Sequence, residues 1–325
     1  MTMQQVISRQ ELVHEGTTIS IIEPSGMQDR LSDLLEYLES YRAEIKSELL
    51  RTGAILFRGF AVRSNEDFQQ VRDRFAEGSH FSYRDGNSPR TKMAAGIYTS
   101  TEYPREYRIT LHNEMSYASK WPAHLLFYCH IPAAEGGETP LNDCRALLYR
   151  LDPQMVDSFR SHGVRYTRYL NGAGGIGKSW SDTFEMSDKA AIEDYCRDNG
   201  IEFFWEKDSL FMAHQGPGLL RHPLTNEEVW FNQANQFHPS SLPREEYMGL
   251  KMLFSRNKHK FPHYAYYGNG EDIPEEYLRQ VTELQFDLAV KFKWQQGDIV
   301  IVDNVLVAHG RMPFEGERKI YVSMC

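Results

Sequence analysis

The chain has 325 residues, 41% hydrophobic and 25% charged, with 45 acidic against 36 basic side chains for a net charge of −9. That balance is ordinary for a globular protein and argues against nucleic acid or an anionic membrane as a general partner. Four cysteines (Cys129, Cys144, Cys196, Cys325) show no CxxC spacing, and no signal-peptide core or membrane-length apolar run is present, so a soluble, cytoplasmic protein is expected.

In chain order, Leu31–Gly53 places Leu31, Leu34, Leu35, Leu38, Tyr41, Ile45 and Leu49 near a 3.6-residue period and ends on Gly53, which predicts an amphipathic helix with a glycine stop. AILFRGF (54–60) reads as a buried strand, and SNEDFQQVRDRFAEG as a helix capped at Ser64 or Asn65. A long polar stretch (79–104) leads into RITLHNEMSY. LLFYCHI (125–131) is a strand stopped by Pro132, followed by a turn and a helix around ALLYRL. Short β-like runs broken by glycines occupy Val164 to Gln236, with a helix expected near Asp188–Asn199. EEYLRQVTELQFDLAVKFKW (275–294) predicts a helix passing into a strand; GDIVIVDN (297–304) and RKIYVSM (318–324) are apolar strands. Many short strands with turn signals, plus helices at the front, predict a mainly β protein with added helices, a β-sandwich or jelly roll. An α/β sheet is disfavoured, because the later strands are not regularly separated by helices.

The chemistry sits in His112-Asn113-Glu114 and, 195 residues beyond Glu114, His309. Two histidines and a carboxylate are the facial ligand set of non-haem iron(II), which leaves coordination positions open. The one-residue gap between His112 and Glu114 sends both side chains the same way from an extended backbone, whereas a helix would splay them. A strand end is therefore implied, with the third ligand supplied by the fold. His-x-Glu alone recurs by chance, and its context must carry it. His309 closes an apolar run, and Arg318, nine residues later, lies on the returning strand. In a jelly roll that return brings Arg318 beside the metal pocket, where a guanidinium can grip a dicarboxylate by a bidentate fork.

The surrounding text includes GAILFRGF (53–60), SPRT (88–91), YTSTEYP (98–104), HNEMSY (112–117), FYCHIPAAEGGETPLND (127–143), VWFNQAN (229–235) and WQQGDIVIVDNVLVAHGRMPF (294–314). In these motifs and their order the chain resembles the taurine dioxygenase/clavaminate synthase-like superfamily of iron(II), 2-oxoglutarate-dependent oxygenases. Within it, the resemblance runs to clavaminate synthase-like proteins and the aspartyl β-hydroxylases of nonribosomal peptide pathways. It implies a double-stranded β-helix (jelly roll, cupin-like) in one domain over 1–325, with a helical N-terminal part (about 1–80) and an insertion around 170–200. It also implies His112, Glu114 and His309 as iron ligands, Arg318 on the C5 carboxylate of 2-oxoglutarate, and Thr139 on the same cosubstrate. Some members carry a second arginine four residues after the first; here that position is Val322, so no second cation is expected from that strand.

The resemblance further implies iron(II), 2-oxoglutarate and dioxygen acting together. Decarboxylation to succinate would generate an oxidant that attacks an unactivated C–H bond, while the protein orients the partners and excludes side reactions. The expected substrate is a small molecule, an amino acid either free or presented on a peptidyl carrier protein, in specialised metabolism. Halogenating relatives lack the carboxylate, so Glu114 favours hydroxylation. Desaturation or cyclisation at the same site, and a non-catalytic binding or regulatory protein on the same fold, are the alternatives. Oligomeric state is not legible.

Arg90, Asn113, Ser116, Arg221 and Asn235 are the substrate-binding candidates, each weighed evenly against a salt bridge or loop contact. His124, His130, His214, His222 and His238 compete as ligands, but nothing in their context marks them. Gly172–Ser179 fits GxxxxGKS but lacks an evident strand-to-helix context, and it is read as a loop near the active site. Trp230, Phe231 and Trp294 are expected in the core.

Overall fold

The computed structural model describes residues 7–26, 30–77, 81, 92–94, 96–100, 103–172, 174–254 and 256–325. Its largest element is an eight-stranded sheet, in the order Ile7–His14, Thr17–Pro24, Ala54–Phe57, Ile299–Asp303, His124–Ile131, Lys319–Met324, Ile97–Thr99 and Lys92–Ala94. The central strands read AILF, IVIVD and HLLFYCHI because both of their faces are covered. Ile55, Phe57, Leu126, Tyr128, Ile299 and Ile301 pack under the N-terminal helices. Leu56, Leu125, Phe127, Val300 and Val302 face the opposite way, into a second core. A strand buried on both faces has no reason to alternate polar and apolar residues.

Across that second core lies a three-stranded sheet, Ile109–His112, Val307–Arg311 and Leu141–Asp143, whose Leu111, Leu141, Val307 and Ala308 complete the apolar layer. A four-stranded antiparallel sheet, Glu202–Glu206, Ser209–Gly216, Val164–Leu170 and His263–Tyr267, forms the rest of the β structure with one small hairpin, Leu219–Arg221 and Glu228–Trp230, and a two-residue pairing of Glu135–Gly136 with Phe314–Glu315. Its Val164, Tyr166 and Tyr267 share a third core with the helices Cys144–Arg150, Pro153–His162 and Glu275–Asp287. Strand and helix thus occupy about equal shares of the described residues, a mixed sheet-and-helix fold rather than the mainly β one expected.

Several local expectations need correction. The stretch from Leu31 is two helices, Leu31–Ser40 and Arg42–Thr52, broken at Tyr41. Gly53 does stop the second, at φ 74°, where an added Cβ would collide with Val307 of the three-stranded sheet. The N-terminal part is not helical throughout: Ile7–His14 and Thr17–Pro24 form a hairpin whose second strand pairs in parallel with Ala54–Phe57. The helix Glu275–Asp287 does not run on into a strand, and Val290 makes an isolated bridge to Leu141. Ser64 caps Asn65–Ala76 with a full capping box. The segment 170–200 holds two helices, Trp180–Phe184 and Lys189–Asp198, which pack with Leu170, Leu210 and Met212 in a small core of their own. Among the described residues, no helix is long and apolar enough to cross a membrane.

Candidate metal centre and cosubstrate pocket

His112 ends its strand directly opposite His309 on the neighbouring one, with ring centroids 4.5 Å apart. Antiparallel partners on one face are held within contact distance by the ladder itself. Register therefore joins two histidines from distant parts of the chain. Both are about 5% exposed. His112 Nδ1 lies 2.9 Å from the Thr110 carbonyl. A carbonyl only accepts, so the proton is on Nδ1 and Nε2 is the nitrogen able to ligate a metal.

Glu114 follows at the start of the turn Glu114–Tyr117, where Met115 takes a left-handed φ of 57°. Its position is fixed by Asn304, a fully buried residue between the strands Ile299–Asp303 and Val307–Arg311. The Glu114 amide donates to Asn304 Oδ1 (2.7 Å), and Asn304 Nδ2 donates to the carbonyls of Glu114 (3.0 Å) and Pro122 (2.8 Å). Glu114 Oε2 sits 3.8 Å from His309 Nε2. One ligand atom from each of His112, Glu114 and His309 lies within 4.8 Å of the others, the one such cluster among the described residues. Metal bonds of about 2.0–2.2 Å would draw these atoms somewhat closer, a change within reach of side-chain rotation. The donor set fits a borderline divalent ion such as iron(II).

Beside the cluster is a small pocket walled by Phe127, Thr139, Arg311, Arg318 and Ile320 as well as both histidines. Arg318 Nε donates to the Gly137 carbonyl at 2.9 Å, and another guanidinium nitrogen approaches Thr139 Oγ1 at 3.5 Å. Gly137 sits at φ 72°, and a Cβ there would press on Arg318 and Ala133, so the GG turn shapes the arginine's bed. Burial, and secondarily the charge of Arg311, push the Arg318 guanidinium down to about 10, which leaves it charged at neutral pH and in need of an anion. Thr139 Oγ1 also accepts from Trp294 Nε1 at 3.1 Å. With two donors on its lone pairs, the threonine hydroxyl is left to donate.

The family model described as taurine catabolism dioxygenase TauD, TfdA family matches residues 18–324. The chain belongs to the TauD/TfdA family. It is accordingly an iron(II)- and 2-oxoglutarate-dependent oxygenase that uses dioxygen. It is 39% identical over 282 residues to the dapdiamide synthesis protein DdaC of Enterobacter agglomerans, covering 86% of this chain and 83% of that protein. To a clavaminate synthase-like protein of Arabidopsis thaliana it is 30% identical over 298 residues, covering 89% and 86% respectively. The crystal structure of PvcB from Pseudomonas aeruginosa superposes with a TM-score of 0.55 at 16% identity, covering 98% of this chain and 91% of that one, a likeness of fold.

Within this family member, the substrate candidates fare unevenly. Asn113 is 1% exposed, and its amide donates to the Asn304 carbonyl (2.7 Å) and Cys144 Sγ (3.4 Å), so it braces the turn. Asn235 donates to Thr282 Oγ1 and Gln285 Oε1, a contact between helices. Arg221 lies exposed on a surface hairpin and donates to the Asn226 carbonyl. None of these three lines the pocket beside the two histidines; Asn235 lines a second, open pocket with Arg108, Thr110 and Glu275. Ser116 is buried in the turn next to Glu114, and Arg90 lies outside the described residues. Of the competing histidines, His222 is bound to Asp303 (3.1 Å) and His238 to Ser240 (2.7 Å).

Sequence reasoning missed three functional contacts. Asn304 was hidden in an apolar run beside the more conspicuous Asp303. Trp294, expected as core, is buried yet spends its N–H on Thr139. Arg311 gives the pocket a second guanidinium from the strand of His309; it donates to the carbonyls of Tyr103, Pro104 and Tyr107 and so pins the segment leading to His112. The HGR triplet at 309–311 was the available signal. Gly172–Ser179, by contrast, is flanked by the strand Val164–Leu170 and the helix Trp180–Phe184, more context than expected. It is still no phosphate loop: the sheet is antiparallel, the helix is barely a turn, and Ser179 is spent on Asp182 as an N-cap.

Proposed function

We propose that the chain hydroxylates an unactivated C–H bond of a small molecule, an amino acid either free or bound to a carrier protein, in a biosynthetic pathway. The observation that carries the reading is the His112–His309 cross-strand pair, with Glu114 beside it, opening on a pocket that ends in Arg318 and Thr139. We assign His112, Glu114 and His309 as the iron ligands and Arg318 with Thr139 as the site of the distal carboxylate of 2-oxoglutarate. We read the three-stranded sheet and the large sheet across the core as the two sheets of a double-stranded β-helix in a single oxygenase domain. The name of the dapdiamide synthesis relative supports a biosynthetic role and an amino-acid-like substrate.

When bound, iron(II) and 2-oxoglutarate with dioxygen supply the oxidation, releasing succinate and carbon dioxide. The protein's own contribution is positional. Asn304 holds the Glu114 backbone, the Thr110 carbonyl holds the His112 ring, and the sheet register holds His309. The Arg318 guanidinium, poorly solvated and oriented by Gly137, gains most from a carboxylate entering the pocket. Phe127 and Ile320 keep the pocket wall apolar and restrict water. Glu114 occupies the position that a halide would need, which favours oxygen transfer over halogenation.

The test is a panel of free and carrier-loaded amino acids scored by succinate release, with products analysed under labelled dioxygen. Coupled succinate formation with one labelled oxygen in the product is expected. Loss of two hydrogens without oxygen gain would mean desaturation or cyclisation, and a chlorinated product in excess chloride would refute the role given to Glu114. Absence of 2-oxoglutarate turnover by the iron-loaded protein would leave a binding protein.

A further inference from the structure

The helix Arg244–Phe254 buries none of its side chains. Along one face it carries Glu245, Met248, Gly249, Met252 and Leu253, and Arg256, two residues past its end, falls at the next position of the same spacing. The spacing i, i+3, i+4, i+7, i+8, i+11 is that of a single helical stripe. All six are exposed, Met252 at 84% and Leu253 at 66%. A Cβ added at Gly249 would meet nothing within 4 Å, so the centre of the stripe is a notch in open surface. A groove of about 480 Å3 runs alongside, lined by Ile176, Pro239, Leu242, Leu253 and Pro262. A contiguous apolar stripe of this kind is unusual on a monomer's surface and marks an interaction site.

The charges identify the occupant. Lys251 is drawn off the stripe to Glu275 and Lys258 to Asp272. At the stripe's own spacing that leaves Glu245 at one end and Arg256 at the other, neither in an ion pair among the described residues, with Arg244 and Glu246, also exposed, on either side of Glu245 off the stripe. A purely acidic or purely basic partner would meet a like charge at one end. A second copy of the same helix laid antiparallel meets neither. About a two-fold axis between residues 250 and 251, Glu245 falls opposite Arg256, Met248 opposite Leu253, and Gly249 opposite Met252, each pair occurring twice. An isologous interface requires this self-complementarity. The glycine notch admits the facing Met252 as a knob in a hole, at the mouth of the apolar groove.

We propose that this chain forms a two-fold dimer through antiparallel pairing of Arg244–Phe254 with its copy. A helix of 11 residues is only ~16 Å long. One such pair falls short of the ~800 Å2 per partner of a standard interface, so association should be reversible, in the range of roughly 10 μM to 1 mM. The inference does not depend on the assignment of the active site.

Sedimentation equilibrium of the full chain across that range tests it. Glu245→Arg and Arg256→Glu should each weaken the dimer by about tenfold, because each puts like charges together twice. The double reversal should restore it, and mixing the two single variants should give a heterodimer tighter than either homodimer. Met252→Asp should leave a monomer. All three positions are exposed, and circular dichroism will show whether each variant keeps the fold. A wild-type chain that stays monomeric at 1 mM, or a dimer indifferent to the charge reversals, overturns the proposal. So does a monomer in which Met252→Asp slows turnover of carrier-bound but not free substrate, since the stripe would then belong to a carrier protein.

Discussion

Two buried histidine–carboxylate groups differ in kind, although Asp303 of one lies only six residues before His309 of the other. At His222 and Asp303 each polar atom is committed locally. His222 Nδ1 accepts from the amides of Leu224 and Thr225, so Nε2 carries the proton donated to Asp303 Oδ2. Asp303 Oδ1 in turn accepts from the amides of Val305 and Leu306. That group closes a turn and has no coordination capacity to offer. At the other group the Thr110 carbonyl holds the His112 ring and Asn304 holds the Glu114 backbone, while one ligand atom from each of His112, Glu114 and His309 lies within 4.8 Å of the others. Burial and residue type do not separate a metal centre from a structural pair; the direction of the remaining lone pairs does.

The sharpest way to break this comparison is His309→Ala. It should abolish iron(II) binding, seen as loss of the visible charge-transfer band formed anaerobically with 2-oxoglutarate, and with it all turnover. A band that survives would remove His309 from the ligand set. Next in size, Asn304→Ala frees the Glu114 backbone without touching a ligand, and iron affinity measured by competition with a chelator should fall by about 10–100-fold. Unchanged affinity would make Asn304 a packing residue only. Arg318→Lys keeps the charge and loses the fork, so the apparent affinity for 2-oxoglutarate should drop by about tenfold, on the order of 1.5–3 kcal/mol, with iron affinity intact. Equal dependence on 2-oxoglutarate in both proteins would move the carboxylate site elsewhere. The smallest effect on the chemistry belongs to His222→Ala. Denaturant titration should show a loss of about 1–3 kcal/mol from the stranded Asp303 and amides, with the charge-transfer band unaltered.

The candidate ligand set was readable because the proposed chemistry needs particular residue types at spacings a strand can serve. His112 and Glu114 lie two apart, and His309 and Arg318 sit in contexts that recur in one family. The central strands were readable for a related reason: burial on both faces leaves AILF, LLFYC and IVIV as unbroken apolar runs. The hairpin Ile7–Pro24 was not, because its first strand is an edge with largely exposed side chains and shows no apolar pattern. The break at Tyr41 was equally silent, since the 3.6-residue period continues across it.

By itself, then, the sequence singled out the side chains proposed to hold the metal and the dicarboxylate, because donor chemistry belongs to residue types. It did not determine which polar residues serve those atoms from behind. Asn113 and Asn235, named as substrate candidates, hydrogen-bond to Asn304 and Gln285; Asn304 and Arg311, to which the sequence assigned no role, and Trp294, read as core, hold Glu114, the approach to His112 and Thr139. A hydrogen bond between residues 155 or 190 positions apart leaves no local period or spacing to read. Only the tertiary structure decides it, through the register of His112 against His309 and the packing of the sheets across their shared core.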